Sequence, residues 1–214
     1  MENETTHTPY VIAIAGGTGS GKTYIAKKLG EVAPDQILTI SHDNYYHDRR
    51  DVPEELRKEL NYDEPAALDN KLFLEHIKEL KKEHSIDIPQ YDFKTHTRKS
   101  DVRNVQPKSV VIVEGILLLA DEALVEQFDL IIFIDVKSDI RLARRLQRDV
   151  GERDRSYESS LNQYLVSAGP MHDKYVEPGK EHADIIINNN GSMEDLEDSV
   201  ATIQSRIKDI LDID

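Results

Sequence analysis

Gly16-Gly17-Thr18-Gly19-Ser20-Gly21-Lys22-Thr23 fits the pattern G-x-x-x-x-G-K-[ST], a loop that wraps phosphate. The run Tyr10-Val11-Ile12-Ala13-Ile14-Ala15 before it reads as a buried strand. Thr23 to Gly30 after it reads as a helix, closed by Gly30 with Pro34 just beyond. Strand, glycine loop and helix in that order are the context the pattern requires. Glycines let the backbone curl until successive N–H groups point inward at phosphate oxygens. The helix start adds positive potential. Lys22 reaches the β and γ phosphates, and the Thr23 hydroxyl is a ligand for Mg²⁺. All residues from Gly16 to Thr23 are therefore candidates for binding a nucleotide.

Outward from the loop, apolar runs alternate with helical patterns. Ile37–Ile40, Val110–Val113, Leu130–Ile134 and Ile185–Ile187 read as further strands. Ser41 to Val52 reads as a loop, and Pro53 to Leu60 as a short helix. Asp69 is placed to cap a longer helix in which Leu72, Ile77 and Leu80 share a face. Ser138 is placed to cap a helix from Asp139 to Val150; Leu161 to Tyr175 and Met193 to Leu211 are also helical. Residues 85–106 differ: Ile86, Ile88, Tyr91 and Phe93, then a polar return, suggest a small hairpin insert. The expected fold is α/β, a five-stranded parallel sheet with helices on both faces. One domain over 9–214 follows a disordered arm at 1–8.

The chain has 214 residues and a formal charge of −14, with 27 Lys and Arg against 41 Asp and Glu. That mean field repels phosphate polymers and anionic bilayers, so neither nucleic acid nor membrane is an expected partner. Any phosphate site must instead build local positive potential. Cysteine is absent, which removes disulfides, thiolate metal sites and thiol nucleophiles and fits a cytoplasmic protein. No signal peptide is legible in Met1–Thr8. The eight His are scattered without metal-ligand spacing.

A phosphate loop serves a kinase, a GTPase switch, a motor ATPase or a nucleotide sensor. The D-x-x-G and N-K-x-D patterns of a switch are absent. A kinase needs a base, an acid for the metal and a lid. Asp43, after the second strand, faces the crevice at the carboxyl ends of a parallel sheet, where it can take or position the proton of an attacking hydroxyl. Glu114 follows another strand and is the preferred metal-side acid, because Gly115 leaves room beside it; Asp135 is its rival. Arg141, Arg144, Arg145, Arg148, Arg153 and Arg155 are half of the twelve Arg, gathered in fifteen residues. At helical spacing 141, 145 and 148 share a face suited to phosphate, while Leu142, Leu146 and Val150 take another suited to the core. The alternative is a solvated face paired with Asp139, Asp149 and Glu152. With a phosphate loop present, an Arg lid over 141–160 is the stronger reading.

These pieces together resemble the uridine kinases (uridine–cytidine kinases). The carrying stretches are GGTGSGKT at 16–23, SHDNYY at 41–46, NYDEPAALDN at 61–70 and IPQYDFKTHTRK at 88–99. VIVEGILLL at 111–119, RLARRLQRDVGERDR at 141–155 and NQYLVSAGPMHDKYVEP at 162–178 complete the set. The resemblance implies transfer of the γ-phosphate of ATP or GTP to the 5′-hydroxyl of uridine or cytidine in pyrimidine salvage. It implies Asp43 as base, with Lys22, Arg148 and Arg153 at the moving phosphoryl group. Mg²⁺ would sit among Thr23, Glu114 and Asp43. Asp63 and Arg145 would hold the ribose hydroxyls, Tyr91 and His96 the pyrimidine, and Tyr46, Phe93, Arg155 and Gln163 the rest of the nucleoside side. A homo-oligomer, commonly a tetramer, is implied as well. Two departures stand out. Gly169 replaces the basic residue usual before Pro170, and Asn188-Asn189-Asn190-Gly191 replaces a Pro- and Gly-containing turn near the donor base.

Overall fold

The computed structural model describes residues 8–57 and 59–213. In chain order the strands are β1 (Tyr10–Gly16), β2 (Ile37–Ser41), β3 (Ile86–Asp92), β4 (Thr97–Val105), β5 (Val110–Gly115), β6 (Leu130–Asp135) and β7 (Ile185–Asn188). The five apolar runs form one parallel sheet in the order β2-β5-β1-β6-β7. The helices are α1 (Lys22–Gly30), α2 (Glu54–Arg57), α3 (Asn70–Lys81), α4 (Glu122–Val125), α5 (Ser138–Glu152), α6 (Tyr157–Gln163), α7 (Gly169–Met171) and α8 (Met193–Leu211).

Alternation along each strand explains the layers. Ile12, Ile14, Ile112, Ile132 and Ile134 face α1 and α8 and meet Ile25, Leu29, Val200 and Ile207. Val11, Ala13, Val111, Val113 and Phe133 face the other way and meet Phe73, Ile77 and Leu80 of α3. Each fully buried Ile or Phe side chain contributes about 1.5–3 kcal/mol. Helices thus cover both faces. Carboxylates at the rim of the sheet pin the strand starts: Asp129 accepts from the Val11 N–H at 2.7 Å, and Asp184 from the Ile131 N–H at 2.7 Å.

The sheet order positions the site. β1 leads through α1 to the far edge at β2, whereas β5 leads across β1 to β6. Connections therefore diverge above the carboxyl ends of β1 and β5, where open α/β sheets bind ligands. The register sets Ser41 of β2 beside Glu114 of β5, and Ala15 of β1 beside Gly115.

The hairpin expected at 85–106 is β3–β4, antiparallel, with a bulge between Pro89 and Tyr91. Arg98 fastens it down by donating to the Tyr45 and Tyr46 carbonyls at 2.9 and 2.8 Å. Asp69 caps α3 as expected, accepting from the Leu72 N–H at 3.1 Å. Phe73 joins Ile77 and Leu80 on its buried face, while Leu72 is only partly covered.

Several local expectations need correction. The stretch 41–52 contains a 3₁₀ turn at His42–Tyr45, and the helix expected at 53–60 is one turn, Glu54–Arg57. Ser138 is the first residue inside α5 and makes no capping bond. Val150 is 48% exposed, so the apolar face read into 142, 146 and 150 is not the buried one. The buried face of α5 is instead Arg141, Arg145, Leu146 and Asp149, because these charges find partners inside. Residues 157–182 run almost continuously as α6, α7, two π-helical turns and a 3₁₀ turn. Of the expected arm at 1–8, residues 1–7 lie outside the described residues.

Candidate active site

The phosphate loop closes β1 and opens α1. Gly19 and Gly21 have φ of +74° and +96°, the left-handed region that a side chain rarely adopts. Gly19 is doubly constrained, since a Cβ there would overlap the Arg141 carbonyl oxygen. At Gly17 a Cβ would come within 2.6 Å of an Arg141 guanidinium nitrogen and 2.8 Å of the His172 ring. The first helical turn of α5 is thus pressed against the back of the loop. Lys22 is buried and donates to the Gly17 carbonyl at 2.9 Å. Burial pushes its amine down to about 8, against the opposing pull of Glu114 and Asp43.

Beside the loop lies a cavity of about 310 Å³. It is lined by Thr18, Lys22, Thr23, Asp43 and Glu114 at one end and by Tyr46, Asp63, Tyr91, Phe93 and His96 at the other. Arg145, Arg148, Arg153, Arg155 and Gln163 form its roof. Asp43, Lys22, Thr23, Glu114, Arg148, Arg153 and the substrate-side candidates from Tyr46 to Gln163 therefore border one space, whereas Asp135, Arg141 and Arg144 do not line it.

Glu114 is buried at the end of β5. Burial pushes its carboxyl up, and the nearby Asp43 pushes the same way; Lys22 and the Ser41 and Thr23 hydroxyls oppose them. The Asp43 carboxyl is also raised, first by withdrawal from water, with Lys22, Arg153 and Arg148 pulling it back. The rival Asp135 is engaged elsewhere, in a 2.7 Å ion pair with Lys180.

At the far end the rings are ordered by one another. The His96 ring stacks on Tyr62 at 4.4 Å and 17°, and its Nδ1 is 3.4 Å from the Tyr91 hydroxyl. His96 sits at φ +56°, so the hairpin turn holds it in a sparsely populated conformation. Tyr46 donates its hydroxyl to the Tyr62 carbonyl at 3.0 Å and leaves its ring beside Tyr91 and Phe93. Asp63 is buried; its Oδ2 is 2.8 Å from the Ser167 hydroxyl, and its Oδ1 is 3.8 Å from Arg145.

The arginines converge on one carboxylate. Asp149 is 0% exposed, and Arg145, Arg148 and Arg153 approach it at 3.4, 2.8 and 3.6 Å. The Arg153 guanidinium also lies 4.5 Å over the Phe93 ring, joining the roof to the hairpin. Gln163 accepts from Arg145 at 2.8 Å and from Arg155 at 2.6 Å through the same oxygen. Arg141 does not join this group: it is buried under the phosphate loop and donates to the Val136 carbonyl at 3.1 Å.

Four residues here escaped the sequence reading as site components. Asp149 looked like a surface counter-charge, and only the fold shows it enclosed. Tyr62 lay in plain view in the 61–70 stretch, next to Asp63. Ser167 gives no local signal, since its π-helical turn is what aims it at Asp63. Asn189, in the divergent turn after β7, is buried and donates to the Ser20 carbonyl at 2.9 Å.

Comparison with known proteins agrees with this geometry. Residues 11–195 match the profile of the Phosphoribulokinase / Uridine kinase family. A protein named uridine kinase from Geobacillus kaustophilus is 48% identical over 184 residues, 86% of this chain and 87% of that one. One from Bacillus anthracis is 43% identical over 198 residues, 92% of this chain and 93% of that one. Among solved structures, phosphoribulokinase from Rhodobacter spheroides superposes with a TM-score of 0.62 at 14% identity, covering 85% of this chain and 70% of that one. D-glycerate 3-kinase from Cryptococcus neoformans gives 0.60 at 19% identity, covering 88% and 89%. These two show the shared fold. The profile match over most of the chain, with the close relatives and the phosphate loop set over the ends of β1 and β5, shows that this chain belongs to the phosphoribulokinase/uridine kinase family of P-loop kinases.

Proposed function

We propose that this chain transfers the γ-phosphoryl group of ATP or GTP to the 5′-hydroxyl of uridine or cytidine. The observation that carries the reading is the single cavity with a phosphate end and an aromatic, carboxylate-bearing end. An aromatic wall with a polar edge suits a pyrimidine. A carboxylate that accepts two hydrogen bonds suits a ribose diol, and Asp63 is the buried carboxylate at that end.

The roles follow from placement. Asp43 accepts the proton of the attacking hydroxyl; a carboxyl raised by desolvation is a better base than one in water. The hydroxyl oxygen bonds to the γ-phosphorus as the bond to the β–γ bridging oxygen breaks, and the nucleoside diphosphate leaves. Lys22, Arg148 and Arg153 face the charge that spreads over the moving group. Tyr46, Tyr91, Phe93 and His96 hold the base, and Asp63, Arg145, Arg155 and Gln163 the sugar side.

The residues present fit Mg²⁺. Glu114 and Asp43 are two carboxylates on one cavity, close enough that Asp43 raises the Glu114 carboxyl's affinity for a proton, and Thr23 sets a hydroxyl beside them. Among the described residues no cluster of three or more His, Cys, Asp or Glu could hold a metal. Two carboxylates and one hydroxyl are a donor set for an ion completed by phosphate oxygens. When bound, Mg²⁺ neutralises phosphate charge.

The reading includes a cytoplasmic salvage role and a homotetramer, the latter checked by light scattering. Among the described residues no helix is long and apolar enough to cross a membrane. A coupled assay for diphosphate release tests the activity, offering uridine, cytidine and ribulose 5-phosphate with ATP and with GTP. Turnover that depends on a pyrimidine nucleoside is expected; none, or turnover only with the sugar phosphate, would overturn it.

A further inference from the structure

The turn after β7 is tied to the phosphate loop by one buried side chain. Asn189 is 5% exposed, and its Nδ2 donates to the Ser20 carbonyl at 2.9 Å. The same nitrogen lies 3.0 Å from where a Gly21 Cβ would stand, so it packs on the Ser20–Gly21 peptide itself. The rest of the turn is bolted to the start of α5. The Asn189 N–H donates to the Asp135 carbonyl at 3.0 Å, and the Asn190 Oδ1 accepts from the Lys137 N–H at 2.7 Å.

In a trans peptide the carbonyl and the N–H point opposite ways, and the described chain has no cis peptides. A carbonyl held outward by Asn189 therefore turns the Gly21 N–H toward the concave side of the loop. Gly21, at φ +96°, lacks the Cβ that would otherwise restrict that peptide to one orientation. An outside brace is what then selects the phosphate-facing one.

We propose that Asn189 is a positioning residue for the donor site. It holds the Ser20–Gly21 peptide with its N–H ready for a phosphate oxygen, and it links that peptide to the root of the arginine helix. Asn189 touches no phosphate itself; it removes a reorganisation that donor binding would otherwise require. The idea rests on the donor site proposed above, and it adds a role for the turn that departs from the family pattern.

The test is calorimetric binding of Mg-ADP, Mg-GDP and uridine, each titrated separately into the full chain. Using both diphosphates keeps base preference out of the result. Asn189→Ala should raise the diphosphate Kd about fivefold to tenfold and leave the uridine Kd within twofold. Asn189→Asp keeps the size but removes the donor, and should weaken diphosphate at least as much. Diphosphate affinity unchanged within twofold, or uridine weakened by the same factor, would overturn the proposal. Binding of neither diphosphate by the unaltered chain would instead sink the donor site itself, and this inference with it. Should both variants fail to fold, hydrogen exchange on the unaltered chain decides. The Gly21 amide must gain protection when Mg-ADP is added, and no gain overturns the idea.

Discussion

Arg148 grips Asp149 with two nitrogens, Nε at 3.0 Å and Nη2 at 2.8 Å from the same carboxylate oxygen. The two are neighbours in sequence, so the bond costs little chain entropy. It aims Arg148 across the cavity, where its other contact is the Thr18 hydroxyl at 3.5 Å. The roof is therefore held by a buried anion before any phosphate arrives.

Removing that anion leaves three guanidinium groups facing one another. Asp149→Asn should cost about 3 kcal/mol of stability, the scale for breaking a buried pair from one side. Urea unfolding of both proteins measures it. A loss under about 1 kcal/mol would mean that solvent replaces the carboxylate.

The same pair predicts a pH effect. Burial alone would raise the Asp149 carboxyl, but Arg148 first, then Arg145 and Arg153, outweigh it and hold the carboxyl low. A depressed carboxyl stabilises the fold fully above its unfolded value of about 3.9 and loses that contribution as pH falls through the folded value. The stability gap between the native chain and Asp149→Asn should therefore shrink below about pH 4. A gap that stays constant to lower pH would remove Asp149 from the acid response.

Asp43→Asn should lower kcat by ~10² or more while Mg-ADP still binds, if Asp43 takes the hydroxyl proton. Single-turnover rates with uridine check it. Near-normal rates would take Asp43 out of the chemistry.

His96→Ala should raise the KM for uridine more than the KM for ATP. The ring stacks on Tyr62 at the end of the cavity away from Lys22. Steady-state kinetics with each substrate varied in turn separate the two; equal rises would point to general disorder of the hairpin.

Gly19→Ala should abolish nucleotide binding, since the new methyl meets both a +74° φ and the immovable Arg141 carbonyl. Gly151→Ala is the control, with open space around its Cβ and no positive φ. Equal Mg-ADP binding by the two variants would contradict the packing of α5 against the loop.

Much of this was legible in the chain because backbone demands write themselves locally. A strand buried on both faces needs an unbroken apolar run, and a phosphate nest needs glycines at fixed spacing, so β1, β5, β6 and the 16–23 loop could be read directly. The hairpin showed through Ile86, Ile88 and Tyr91. The inward face of α5 did not. Beside Leu146 its buried positions are Arg141, Arg145 and Asp149, charges that periodicity assigns to water, and only the pairing of Arg145 with Asp149 on the same helix and with Gln163 and Asp63 from elsewhere in the chain reverses that. Ser167 and Asn189 were silent for a different reason, since each acts through contacts more than a hundred residues away in sequence.

The strand order also sets a timetable for biosynthesis. β1 carries the phosphate loop, but its sheet neighbours are β5 and β6. A ribosome working at about 5–20 residues per second needs on the order of ten seconds to reach them. Through that interval the 10–16 segment is an apolar strand with both edges open, a ready template for the wrong partner. Donor-binding competence must therefore emerge late in translation, once both neighbours of β1 have been made.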